Sequence, residues 1–122
     1  MTDQQFRQLA LALPESEENA HQDHPDFRVG GKIFATLGGA ALDDDPWAMV
    51  KLAPEAQREA VEDQPEVFEA FPGAWGRQGC TRIWLRAARV AMIRPALAAA
   101  WRKTAPKKLQ QQHSPGSLPG EN

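Results

Sequence analysis

Hydrophobic residues recur along this chain at helical spacing in three places. The first helix is predicted over residues 3–13, ending at Pro14, by apolar residues three and four positions apart: Phe6, Leu9, Ala10 and Leu13. Thr2 and Gln5 fit a capping box that would start this helix. A second helix is expected from Ala53-Pro54-Glu55 to about residue 63, because proline fits the first helical position. A third is expected from about residue 92, after a loose start caused by Pro95, with a buried face of Ile93, Leu97, Ala100 and Trp101.

Apolar and polar residues alternate elsewhere, which predicts strands. The strands are expected at residues 27–29, 32–37, 47–52, 74–77 and 80–85, with a further short candidate near 19–22. Gly30-Gly31 predicts a tight hairpin, since both central positions of such a turn need positive φ. The other predicted connections are His24-Pro25-Asp26, Gly38-Gly39, the acidic stretch 43–46, and Pro72-Gly73.

The order of these elements predicts an α+β fold, in which about three helices pack against an antiparallel sheet of about five strands. At 122 residues the chain is expected to be one domain, residues 1–109. Residues 110–122 are rich in Gln, Ser, Pro and Gly and are predicted to be a disordered tail. Neither a signal peptide nor a membrane span is expected, and a single cysteine, Cys80, favours the cytoplasm.

Charge is distributed unevenly along the chain. Residues 1–76 hold 15 acidic and 5 basic side chains, whereas residues 77–122 hold 9 basic side chains and one acid, Glu121. This asymmetry suggests an end that binds a polyanion or a partner. The sequence pI of about 5.9 argues against a strongly basic nucleic-acid domain.

Several cations are placed where they could meet phosphates. Arg28 and Lys32 flank the Gly30-Gly31 turn, and the alternation of a strand would put Arg82 and Arg86 beside Trp84. The alternative is that these are solvated side chains that balance the acidic half. The candidate nucleic-acid-binding residues are Arg28, Lys32, Arg77, Arg82, Arg86, Lys107 and Lys108.

Other chemistry finds less support in the sequence. His21, Asp23 and His24 could begin a metal site, but no distant Cys or His pair completes it. We interpret them, and the acidic run 43–45, as polar loop residues. Cys80 has no histidine partner visible in the sequence, so no enzyme, metal or cofactor is expected.

Four segments together resemble the MmcQ/YjbR family: residues 24–37, 47–52, 72–76 and 100–108. The resemblance covers roughly residues 3–109. It implies a compact α+β fold described as a double wing, similar in layout to secretion chaperones and to CyaY, and it implies DNA binding. Pro95 and the lack of an aromatic residue just before His24 depart from the family pattern.

The expected function is therefore a non-enzymatic module that binds DNA weakly and mostly without sequence preference, through phosphates. The alternative is a protein-interaction or chaperone-like module, with a protein partner or a second copy of the chain and without nucleic-acid affinity. A third hypothesis is a small-ligand pocket lined by Trp47, Trp75 and Trp84.

Overall fold

The structure, a computed structural model, describes residues 1–38 and 45–121. Within them the helices are α1 (Asp3–Leu11), α2 (Pro54–Asp63), α3 (Gly73–Arg77), α4 (Val90–Thr104) and α5 (Lys107–Gln112). The strands are β1 (Glu17–His21), β2 (His24–Val29), β3 (Lys32–Leu37), β4 (Trp47–Lys51), β5 (Phe68–Ala70) and β6 (Cys80–Trp84). The expected α+β fold is confirmed, with more strands and helices than the sequence predicted.

The six strands form one antiparallel sheet in the order β1-β2-β3-β4-β6-β5. Helix α4 packs across β3 and β4, and α1 packs against α4, so the main core lies on that face of the sheet. Its largest buried side chains include Phe6, Phe27, Ile83, Leu97 and Trp101. Burying apolar surface of this kind is the main force that holds the two layers together.

The other face of the sheet is called here the open face. It is marked by one row of residues paired from strand to strand: Asn19, Asp26, Thr36, Met49, Arg82 and Glu69. Strand β4 shows why the two faces differ. Ala48 and Val50 are fully buried towards the helices, whereas Trp47, Met49 and Lys51 are half-buried on the open face.

Two local predictions are confirmed because their signals depend only on nearby residues. Gly30 and Gly31 join β2 to β3 with φ of 59° and 79°, as the tight turn requires. Thr2 and Gln5 form the capping box that starts α1, in which the Gln5 amide donates to the Thr2 hydroxyl at 3.1 Å.

The predicted turn at His24-Pro25-Asp26 is wrong, because these residues begin β2. The turn lies one step earlier, at Gln22 and Asp23, which both have positive φ although neither is glycine. Pairing with β1 makes these residues a strand, because His24 pairs with His21 and every residue from His24 to Arg28 has a partner in β1. The pairing of β1 with β2 therefore outweighs the local preference of His24-Pro25-Asp26 for a turn.

The strand predicted over residues 74–77 is also wrong, because these residues lie in the short helix α3. Gln57 of α2 fixes it by donating from Nε2 to the carbonyl oxygens of Gly76, at 2.9 Å, and Cys80, at 3.0 Å. Gly76 is required there, because a Cβ would lie 1.7 Å from the Phe71 carbonyl oxygen. The strand missed by the sequence is β5, whose three residues are too few to show alternation.

The C-terminal region differs from expectation at the start of α4 and again beyond its end. The helix starts at Val90 and carries Pro95 in its second turn, where an exposed proline removes one hydrogen bond without ending the helix. The expected domain boundary at residue 109 falls inside α5. Beyond it, the buried side chain of Leu118 packs on the core, so this segment lies against the domain. Of the predicted connection after β3, residues 39–44 lie outside the described residues.

Candidate functional site

A basic cavity of about 430 Å³ lies at the end of the sheet where the β2–β3 hairpin turns. We call it the basic groove, and four cations line it: Arg28, Lys32, Lys51 and Lys103. Arg28 lies near the end of β2, Lys32 begins β3, and Lys51 ends β4. Antiparallel order brings these three strand positions to the same end of the sheet.

The last turn of α4 supplies Lys103, and the chain beyond it turns under the hairpin. The contact is close, because a Cβ placed on Gly30 would lie 2.5 Å from the Pro106 ring. Lys107 and Lys108 follow Pro106 directly and are exposed. These two lysines therefore lie beside the same hairpin turn as the groove.

Arg28 is held in place by a buried carboxylate. Its Nε and Nη2 donate to the two oxygens of Asp26 at 2.8 and 3.0 Å, and the His21 ring contacts the same carboxylate at 2.8 Å. The Asp26 side chain is fully buried. The hydrogen bond from Arg28 holds the pKa of Asp26 below its ordinary value despite the opposing effect of burial, and Asp26 in turn raises the pKa of Arg28.

Arg82 has a different environment on the open face. Its guanidinium carbon lies 4.5 Å from the centre of the Phe71 ring, 5.1 Å from that of Trp47 and 5.2 Å from that of Trp84. It also pairs with Glu69 at 3.2 Å. Arg82 is thus engaged in cation–π contacts and an ion pair.

The seven candidate cations separate into two groups. Arg28, Lys32, Lys107 and Lys108 come together at the hairpin end. Arg77, exposed on α3, is close to that end in the chain, since the Gly79 carbonyl two residues later accepts from Leu52 next to Lys51. Arg82 and Arg86 lie apart from this set.

Arg86 lies beyond β6 at the opposite end of the sheet and pairs with Asp45 at 2.8 Å. It does not share the face of Arg82 and Trp84 as predicted, because the strand ends at Trp84. Lys51 and Lys103 were not among the seven candidate residues, although Lys103 belongs to the basic C-terminal part of the sequence. The alternation in β4 could have indicated Lys51, because it follows the core residue Val50 and therefore lies on the opposite face of the sheet.

An apolar pocket of about 250 Å³ lies on the open face next to the groove. Its lining includes Met49, Phe71, Trp75 and Cys80, and the indole of Trp75 is 66 % exposed. Burial raises the pKa of the Cys80 thiol, an effect that the nearby charges of Lys51 and Lys103 oppose. Trp47 and Trp84 lie against Arg82 instead, so the predicted three-tryptophan pocket does not form as such.

Three buried polar atoms of the described residues lack a hydrogen-bond partner: His24 Nδ1, Thr36 Oγ1 and Arg82 Nε. Strand parity and pairing place all three side chains on the open face. Such atoms normally find a partner, so their clustering singles out this face. In the described part of the chain, no group of three His, Cys, Asp or Glu side chains could hold a metal ion, and this includes His21, Asp23 and His24.

A single antiparallel sheet with α1 and α4 on one face and a basic groove at its hairpin end defines a small α+β domain. Residues 11–103 match the model of the YjbR family, so the chain belongs to this family, as its sequence motifs indicated. No curated protein matches the chain significantly. No helix of the described residues is both long and apolar enough to span a membrane.

Two crystal structures share the fold. The chain is similar to the Deinococcus radiodurans protein DR2400, which has a DUF419 domain, with a TM-score of 0.71 and 17 % identity over 99 % of this chain and 91 % of that one. It is also similar to a protein from Pseudomonas syringae, with a TM-score of 0.66 and 18 % identity over 85 % of this chain and 99 % of that one. At these identities the likeness concerns the fold alone.

Proposed function

We propose that this domain is a non-enzymatic module that binds nucleic acid through phosphate contacts in and around the basic groove. One observation carries the proposal. All five lysines of the chain lie at the hairpin end of the sheet: Lys32, Lys51, Lys103, Lys107 and Lys108. The family resemblance implies DNA binding, and the candidate residues Arg28 and Lys32 flank this hairpin turn.

The ion pairs support this reading because they involve arginines. Among the described residues, five arginines pair with carboxylates within 4.0 Å, whereas no lysine does: the pairs are Arg7–Glu18, Arg28–Asp26, Arg82–Glu69, Arg86–Asp45 and Arg102–Glu121. Arginine fits a carboxylate with two parallel hydrogen bonds, while lysine is a flexible point charge. The carboxylates therefore neutralise arginines, Arg28 of the groove included, and among the described residues no lysine at the hairpin end has an ion-pair partner.

A local positive field of this kind suits a phosphate backbone. The overall charge of −2 would oppose association at long range, so contacts at the groove itself must supply the affinity. Non-specific binding of this type has dissociation constants of about 10⁻⁴ to 10⁻⁶ M at physiological salt and strengthens as salt falls. The proposed interaction is accordingly weak and mostly independent of sequence.

A binding role also suits the chemistry of Cys80. Burial raises the pKa of its thiol, which disfavours the thiolate that a cysteine nucleophile needs.

The cytoplasm remains the expected location, on the ground of the single cysteine given above.

Anisotropy titrations of a labelled duplex at several salt concentrations test the proposal. We expect Lys51→Gln and Lys103→Gln each to weaken binding and to reduce the slope of log affinity against log salt by about 1. Arg86→Gln is the matched control, because Arg86 is exposed at the opposite end of the sheet. No binding at low salt, or equal effects of all three variants, would contradict the proposal.

The alternative is a protein-interaction module that pairs the basic end with an acidic surface or a second copy. The observation that favours it is the exposed indole of Trp75 beside an apolar pocket. Sedimentation at two ionic strengths distinguishes the two functions. A dimer that dissociates in salt, together with no affinity for the duplex, would support the alternative.

A further inference from the structure

We infer that the pocket beside the basic groove holds one unpaired nucleobase stacked on Trp75, so that the preferred ligand is single-stranded nucleic acid. This inference rests on the proposed function and narrows it from nucleic acid in general to the single strand. The surface in question is the set Met49, Phe71, Trp75 and Cys80, which we call the Trp75 pocket.

The Trp75 pocket and the basic groove are neighbours in the sheet. Lys51 lines the groove, and its partner across the β4–β6 ladder is Cys80, which lines the pocket. Met49 lies two residues before Lys51 on the same face, about 7 Å away along the strand. A base in the pocket would therefore have the charge of Lys51 within reach of its own backbone.

The size of the pocket limits what it can hold. Its volume of about 250 Å³ is below the range of about 300–1,000 Å³ that is usual for drug-sized ligands and cofactors. A single planar ring system is a better match for it. The lining is almost wholly apolar, which suits the flat face of a base and offers little to read its edges.

The exposure of Trp75 is the second observation. Phe6, Phe27 and Trp101 are fully buried, whereas the indole of Trp75 is 66 % exposed at the mouth of the pocket. Stacking of bases on such rings tolerates every base, because each base has a π face. This matches a groove whose lysines also contact the backbone without regard to sequence.

The preference for a single strand follows from whether a base can reach the Trp75 side chain. In a duplex the faces of the bases are covered by their neighbours, so a base reaches an aromatic side chain only where the strand is unpaired or the base is flipped out. A protein that used only the groove would bind the duplex at least as tightly as the single strand, because the duplex carries more phosphate charge per unit length. One that also uses the Trp75 pocket should prefer the single strand.

The test compares three labelled ligands of equal length by anisotropy: an oligothymidylate, its duplex with oligoadenylate, and an abasic deoxyribose-phosphate strand. We expect the oligothymidylate to bind tightest. Trp75→Ala should weaken its binding roughly 5- to 150-fold, the range found when one stacking ring is removed. Trp75→Phe should keep most of the affinity, and neither variant should change binding of the abasic strand.

Lys103→Gln is the matched control from the groove and should weaken all three ligands by a similar factor. Because Trp75 is exposed, thermal melts of its variants should match that of the natural chain. Duplex binding at least as tight as oligothymidylate binding, with both unchanged in Trp75→Ala but weakened in Lys103→Gln, would overturn the inference and leave the proposed function standing. No binding of any ligand at low salt would refute the proposed function itself.

A further outcome concerns the other possible occupant of the pocket. If Trp75→Ala left oligothymidylate binding unchanged but abolished a dimer seen by sedimentation, the Trp75 pocket would belong to a second copy of the chain. That result would likewise overturn the inference.

Discussion

Leu118 lies 15 residues beyond the part of the chain that matches the YjbR family model, yet its side chain is only 1 % exposed. It packs on the same core as the sheet and α4. Replacing a buried leucine with alanine costs about 2–5 kcal/mol, from lost transfer free energy and the cavity left behind. Because a terminal segment can relax, we expect Leu118→Ala to lower the free energy of unfolding by about 2–3 kcal/mol.

The C-terminal segment around Leu118 is also held by Arg102 of α4. These contacts limit how far the segment can move into a cavity left by Leu118→Ala. Its guanidinium donates to both oxygens of Glu121 at 2.8 and 2.9 Å and to the Ser114 carbonyl at 2.8 Å. Ending the chain at residue 109 removes these acceptors as well as Leu118. The shortened chain should therefore lose more stability than Leu118→Ala, since Arg102 is left without its partners.

Urea unfolding followed by tryptophan fluorescence measures both effects. With a urea dependence of about 1–3 kcal/mol per molar, Leu118→Ala should move the midpoint down by about 0.7–3 M. Leu11→Ala is the matched control, because Leu11 is 40 % exposed and its loss should change stability by less than about 0.5 kcal/mol. Equal midpoints for the two leucine variants would refute the packing of the C-terminal segment.

Three other predictions concern the sheet. Asp26→Asn should destabilise the fold by about 2 kcal/mol in urea unfolding, since Asn loses charge-assisted bonds with Arg28. Because the folded pKa of Asp26 is depressed, its stabilisation is complete above about pH 4 and is lost as pH falls further, so acid titration of the variant should show a shallower loss there. Thr36→Val should leave the free energy of unfolding unchanged or raise it by about 1 kcal/mol in thermal melts, because the buried Thr36 hydroxyl has no hydrogen-bond partner among the described residues. A clear loss of stability would show that the hydroxyl does have such a partner. Gly30→Ala should destabilise by more than about 1 kcal/mol, because the new methyl group meets Pro106 and φ is positive; an unchanged melting temperature would contradict this.

What the sequence could predict of the fold depended on how local each cause was. The Gly30-Gly31 turn, the capping box of α1 and the alternation of β4 are each specified by residues within a few positions, and each was predicted correctly. The turn before β2 was not, since its residues with positive φ, Gln22 and Asp23, are not glycines and did not mark a turn in the sequence. Pairing between strands outweighed the local preference of His24-Pro25-Asp26 for a turn.

The candidate site followed the same division. Arg28 and Lys32 were found because they flank a recognisable turn. Lys51 and Lys103 were missed, because only the strand order and the crossing of α4 over β3 and β4 bring them together. Arg82 looked like a free cation in sequence, but three aromatic rings and Glu69 surround it in the fold.

The uneven charge of the chain has a different meaning once the partners are known. Divided along the sequence, it separates an acidic part from a basic part, but the ion pairs follow that division only in part. Glu69 and Asp45 reach across it to Arg82 and Arg86, whereas Glu121 pairs with Arg102 within the basic part. The division that matters lies between residue types: among the described residues five arginines and no lysine pair with a carboxylate, and all five lysines lie at one end of the sheet. A surface of flexible point charges beside an exposed indole is suited to a ligand that is anionic, variable in sequence and partly aromatic, which is the chemistry of an unpaired nucleic-acid strand.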